Sequence, residues 1–154
     1  VSYNFGKQDK KRLSKLFKIS VILLGATAIV VMIVSFLGSP YIVDFFAKGN
    51  LEVAEISLHG FKIVAISFIM MAYNIFASGW FTALNDGKTS AILSFCRTII
   101  FMVIPVLILP KIFGMDGVWL SMTVGEALSI FMSIFYFVKY RNVWKNNNLK
   151  GENL

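Results

Sequence analysis

Residues 117–140, GVWLSMTVGEALSIFMSIFYFVKY, form an apolar run long enough to cross a bilayer, yet Glu126 stands near its middle. At about 1.5 Å of rise per residue, roughly 20 apolar residues span the hydrocarbon core. A carboxylate at that depth costs about 2.5–3.5 kcal/mol on insertion scales, so its place is against protein or water rather than lipid. Ser121, Gly125, Ser129 and Ser133 indicate which way it faces, because they recur at every fourth position and make one slowly drifting stripe on a helix. At about 100° per residue, Ser133 falls within roughly 20° of Glu126 around the axis. Small residues at such spacing let membrane helices approach closely. Glu126 is therefore expected to point into a helix bundle beside its tightest seam. Its role is either that of a functional intramembrane acid or that of a structural carboxylate bonded to a neighbouring helix.

The composition agrees. Of 154 residues 57% are apolar, against about 45–50% in a soluble domain. The expected class is an all-α, polytopic membrane protein of four transmembrane helices. The net charge of +7 would suggest nucleic acid in a soluble domain, but no nucleic-acid motif is present. The basic residues cluster instead at the ends of apolar runs, as membrane orientation requires. Cys96 is the one cysteine, so no intramolecular disulfide forms. It reads as a small buried hydrophobe. An enzyme is not expected: the single histidine, His59, lies at a span entrance, and no metal-spaced cluster or nucleophile–base set accompanies it. No Gly-rich phosphate loop appears, which argues against ATP as an energy source here.

Outward from the Glu126 span, the chain divides as follows. Residues 1–15 are polar and basic and read as a cytoplasmic loop. The first span covers 16–38 and is closed by Gly38-Ser39-Pro40, since proline cannot continue a helix without loss. Residues 39–57 read as an extracellular loop, with 41–46 as an interfacial apolar tail. The second span covers 58–84. Its polar residues Ser67, Asn74, Ser78 and Asn85 are spaced 7, 4 and 7 apart and share one face to within about 40°. Met70 and Met71 flank that face, and their unbranched thioethers repack easily around different partners. The alternative for Asn74 is a plain hydrogen bond to another helix. Asn85-Asp86-Gly87-Lys88 is a tight turn, and the third span covers 89–109. Pro105 predicts a kink and Pro110 an end. Arg97 lies two turns in, where it snorkels or meets a buried acid, with Glu126 the obvious partner. Residues 111–116 make a second turn, the fourth span is 117–140, and 141–154 form a polar cytoplasmic tail.

Orientation follows from the basic residues. Residues 1–18 hold six, the 85–89 turn one and 139–154 four, so eleven lie on one side against Lys48, Lys62 and Lys111 on the other. The positive-inside rule then puts both termini in the cytoplasm. Tyr41, Trp80, Trp119, Tyr140 and Trp144 fall near span ends, as an aromatic belt requires.

Several motifs together resemble the MATE (multidrug and toxic compound extrusion) family. Ser2-Tyr3-Asn4-Phe5-Gly6 with Arg12 is similar to that family's loop between its eighth and ninth helices, although Lys7 stands where a small residue is usual. Arg97 and Pro105 in one helix, then Gly114-x-x-Gly117-Val118-Trp119 and Glu126, resemble its last two helices. The resemblance implies a twelve-helix protein of two six-helix lobes, of which these would be the last four helices, entered mid-protein and lacking the N-terminal partners. It implies a multidrug:cation antiporter of the plasma (inner) membrane, driven by H⁺ or Na⁺ with no other cofactor, that expels amphipathic small molecules by alternating access. On this view Asn74, Ser78, Met70, Met71 and Ser67 are candidates to line the substrate cavity, and Glu126 with Arg97 to couple the ion. One departure stands out. Some family members carry a cation-binding acid on the tenth helix, but residues 60–84 contain no Asp or Glu.

Two other readings remain open at this point. A lipid-linked oligosaccharide flippase of the same superfamily would need more interior cations than Arg97 alone. A small four-helix membrane anchor subunit is the other. In isolation the chain is expected to be poorly stable, because Glu126 and Asn74 would lack partners from other helices.

Overall fold

The computed structural model describes residues 1–145, with side chains through Val143. The elements in order are α1 (Ser2–Gly6), α2 (Lys10–Ala47), α3 (Leu51–Ala83), α4 (Gly87–Phe95), a π-turn (Cys96–Ile100), α5 (Phe101–Phe113) and α6 (Met115–Lys145). Four helical stretches are long and apolar enough to cross a membrane: Lys10–Ala47, Leu51–Ala83, Gly87–Phe113 and Met115–Val143. The protein is a multi-pass, all-helical membrane protein. The Trp144 side chain and the tail beyond residue 145 lie outside the described residues.

Local chemistry sets the helix ends. Asp9 caps α2 by accepting from the Arg12 backbone N–H at 3.0 Å, Asn50 caps α3 through Val53 N–H at 3.2 Å, and Asp86 caps α4 through Thr89 N–H at 3.0 Å. Each side-chain oxygen satisfies one of the donors that a helix start leaves without a partner. Between α2 and α3 the chain turns through Lys48 and Gly49, both at positive φ. Gly114 alone joins α5 to α6, at φ 58° and ψ −132°, where a Cβ would be strained.

The helices outrun the spans expected from sequence. Residues 1–15 are not a plain loop: α1 and the first turn of α2 lie within them. The largest difference is at Pro40, where α2 continues to Ala47 instead of stopping. Proline leaves the carbonyl four residues back without its N–H, here that of Phe36. The hydroxyl of Ser39 donates to that carbonyl at 2.8 Å. A side-chain donor of this kind is what lets proline sit inside a membrane helix. The expected 39–57 loop thus shrinks to the turn before Leu51, and the 111–116 turn shrinks to Gly114. Pro110 likewise does not end α5, which runs to Phe113.

Helix α3 packs against α2 and α6, and α5 packs along α6. Lipid chains are as apolar as leucine, so close backbone approach and van der Waals contact drive this packing. Gly125 of α6 is pressed so near the Phe101 carbonyl that a Cβ there would lie 2.5 Å from the oxygen; at Gly117 the same Cβ would overlap the backbone of Leu109 and Pro110. Eight residues separate the two contacts on each helix, so the antiparallel pair stays in register for about 12 Å. Phe101 is also the carbonyl that Pro105 deprives of its N–H, so the glycine approaches where the helix backbone is least occupied. Gly60 of α3 receives the Trp119 ring. The stripe of Ser121, Ser129 and Ser133 is buried throughout. At the basic end, Leu13, Ala77, Trp80, Phe81, Leu84 and Leu93 form the hydrophobic core, and Phe17, Phe76 and Phe137 close around Trp80 and Phe81 as an aromatic cluster.

Candidate functional site: a carboxylate shared by three spans

Glu126 meets two partner spans. Asn74 of α3 donates its Nδ2 to Glu126 Oε2 at 2.7 Å and also to the Glu126 backbone carbonyl at 3.0 Å. Ser133, two turns along α6, donates its hydroxyl to Asn74 Oδ1 at 3.0 Å, which fixes the amide with its nitrogen toward the carboxylate. From the third span, Arg97 Nη1 lies 3.3 Å from Glu126 Oε1. Each carboxylate oxygen therefore accepts from a different helix. The Glu126 side chain is 5% exposed and that of Arg97 29%, so Arg97 is the more open member of the pair. Burying one such charge alone is costly, and the opposite charge with hydrogen bonds offsets that cost.

Arg97 sits on the π-turn. There the Phe101 N–H reaches back to the Cys96 carbonyl, five residues rather than four. The turn holds one extra residue in the span, and single π-turns of this kind are frequent at functional sites. The expected Pro105 kink is thus accompanied by an irregularity upstream of it. Arg97, on the π-turn, lies on the side of the span that faces α6.

The second-span candidates do not act as one face. Ser67 and Asn74 are buried against neighbouring helices, so neither lines an open cavity in this conformation. Ser67 donates to the Val64 carbonyl at 2.6 Å and Ser78 to that of Ile75 at 3.0 Å, both within α3. Ser78, Met70 and Met71 are half-buried, and Asn85 is exposed in the turn. The expectation that Glu126 and Asn74 want partners from elsewhere is also corrected: they satisfy one another. Toward the start of α3, His59 Nε2 lies 3.0 Å from Asp116 Oδ1 of α6. No spacing in the sequence marks that contact; beside it, Gly60 of α3 leaves room for the Trp119 ring of α6. No group of three or more His, Cys, Asp or Glu suited to a metal occurs among the described residues.

Three comparisons bear on this geometry. The MatE family model matches residues 1–107, which includes Asn74 and Arg97 and stops short of Glu126. The multidrug export protein MepA of Staphylococcus haemolyticus is 23% identical over 143 residues, covering 92% of this chain and 31% of that protein. The crystal structure of the Vibrio cholerae MATE transporter VcmN in the bent form superimposes with a TM-score of 0.81 at 15% identity. The match covers 93% of this chain and 33% of that one, and at that identity it shows a shared fold. The chain spans about a third of the length of the proteins it matches.

Proposed function

This chain belongs to the MatE family, and on that premise we propose that it is part of a secondary active efflux transporter. The whole protein would exchange an amphipathic small molecule for H⁺ or Na⁺ by alternating access, in the plasma membrane with the basic ends of these helices in the cytoplasm. The observation that carries the reading is the Glu126 cluster: an intramembrane carboxylate held by Asn74 and Arg97 from two other spans. Ionisable residues at membrane depth mark ion or substrate paths as a rule. Residues 60–84 lack the acid that some family members carry there, and Glu126 of α6 supplies a carboxylate beside the polar centre of that span. Arg97 occupies the carboxylate edge that a sodium ion would need, which favours the proton as the coupling ion. Of the second-span candidates, Met70, Met71 and Ser78 are partly open and would meet a substrate.

The cycle this suggests is local. Ionised Glu126 ties the π-turn to α6 through Arg97. Adding a proton to Oε1 removes the negative charge that holds Arg97, and the guanidinium moves toward its more open side. Removing the proton restores the tie.

The test is Glu126→Gln in the full-length protein, assayed in everted vesicles with an amphipathic fluorescent cation. Gradient-driven efflux should fall at least tenfold while equilibrium binding of the cation is kept. Undiminished efflux under both pH and sodium gradients would leave Glu126 a purely structural group.

A further inference from the structure

Away from the Glu126 cluster, a groove of about 390 Å³ opens between the start of α2 and the end of α6, lined by Ser14, Phe17 and Lys18 on one side and Ile134, Phe137, Val138 and Arg141 on the other. Its chemistry is divided along its length. Phe17 and Phe137 meet edge to face in the groove, their centroids 5.2 Å apart. Ile134 and Val138 form one wall and are 52% and 58% exposed. Lys18 and Arg141 supply the charge, and no carboxylate lines the groove. Among the described residues neither cation takes part in an ion pair.

The position matches the chemistry. Lys18 is the last charged residue before the apolar run that begins at Ile19, and Arg141 is the last charged residue of α6 whose side chain is described. Both therefore stand where the hydrocarbon meets the headgroups, with apolar wall beneath them. The same end of the molecule carries Lys7, Lys10, Lys11, Arg12, Lys15, Lys88 and Lys139 against Asp9 and Asp86, and Asp9 is already paired with Arg12. A ligand suited to this groove is anionic at one end and a hydrocarbon chain at the other.

We propose that the groove holds one anionic phospholipid, its phosphate between Lys18 and Arg141 and an acyl chain along Ile134 and Val138 against Phe17. Charge complementarity selects this occupant, since a segment of apolar protein would leave both cations without a counter-charge. Bound there, the lipid bridges the first and last spans of the chain.

The full-length protein with benzoylphenylalanine in place of Val138 is reconstituted in vesicles of equal phosphatidylglycerol and phosphatidylcholine, irradiated, and its adducts weighed by mass spectrometry. A cation near an anionic headgroup surface contributes enough that two should favour the anionic lipid by on the order of tenfold. Lys18→Gln with Arg141→Gln should bring the two adducts close to parity; both residues are exposed, so the fold is kept. Lys10→Gln with Lys11→Gln, outside the groove, should keep the preference. Raising the salt should weaken the wild-type preference without any substitution. Equal adducts in the wild type, an equal loss in the Lys10/Lys11 control, or a protein–protein adduct in place of lipid would each overturn the proposal.

Discussion

A single methyl group at Gly125 measures how closely α5 is held on α6. The Cβ of Gly125→Ala would lie 2.5 Å from the Phe101 carbonyl oxygen and 3.3 Å from its carbon. An ordinary carbon–oxygen contact needs about 3.3 Å, so the helices must part by roughly 0.8 Å. The obstacle is backbone, with no flexible side chain to swing aside. Alanine in a helix interior is otherwise worth about 1 kcal/mol more than glycine, which would mask the crowding if it were measured alone. Gly79 in α3 supplies the control, because a Cβ there meets nothing within 4 Å. Gly79→Ala should raise stability by about 0.5–1 kcal/mol, the propensity gain. Gly125→Ala receives the same gain and loses about 1–3 kcal/mol to overpacking. The difference between the two variants isolates the contact. Denaturant unfolding of the detergent-solubilised protein, followed by circular dichroism, reads it directly. Equal stability of Gly125→Ala and Gly79→Ala would refute the close approach and, with it, the alignment that sets Arg97 against Glu126.

The remaining predictions concern the polar groups. Arg97→Ala leaves a buried carboxylate with one charged partner removed and should cost about 3 kcal/mol, discounted for the part of Arg97 that faces outward; adding Glu126→Gln should recover most of it in the same unfolding assay. Asn74→Leu takes the donor from Glu126 and leaves Ser133 without its acceptor, so a loss of about 2–3 kcal/mol is expected, with no compensation from Arg97→Ala. Ser39→Ala should cost about 1 kcal/mol, whereas in a Pro40→Ala background, where a backbone N–H is restored to Phe36, the same change should cost close to nothing.

The membrane class was legible because nothing else accounts for apolar runs of this length, and the seam was legible because small residues at fourfold spacing have one common use in a membrane helix. Other features were hidden for identifiable reasons. The end of α2 was misplaced because proline is a stop signal only when nothing replaces its lost hydrogen bond, and the Ser39 hydroxyl does replace it. The π-turn left no mark because residues 98–109 are almost uniformly apolar. A register slip of one residue is visible only when it moves a polar face, and here there is none to move. The environment of Asn74 was ambiguous in the sequence, because a cavity wall and a helix–helix contact ask for the same residue types. Only the position of Glu126 and Ser133 on the opposing helix distinguishes them.

The two sides of the Glu126 cluster differ in a way that bears on how the proposed cycle would move the helices. On the α3 side Asn74 reaches both the carboxylate and the Glu126 backbone carbonyl, and the Thr123 hydroxyl adds a bond to the Ile63 carbonyl at 3.3 Å. The backbone bonds do not depend on the charge of Glu126. On the side of the third span the polar tie is Arg97 of the π-turn to Oε1, and its strength depends almost wholly on that charge. A proton on Glu126 would therefore weaken the polar tie to the third span and spare the backbone bonds to α3. Alternating access requires such an asymmetry, because a site that loosened every contact at once would unfold rather than switch. In the proposed cycle α3 and α6 would move as a unit, and the third span, with its π-turn and two prolines, would be the part that shifts against them.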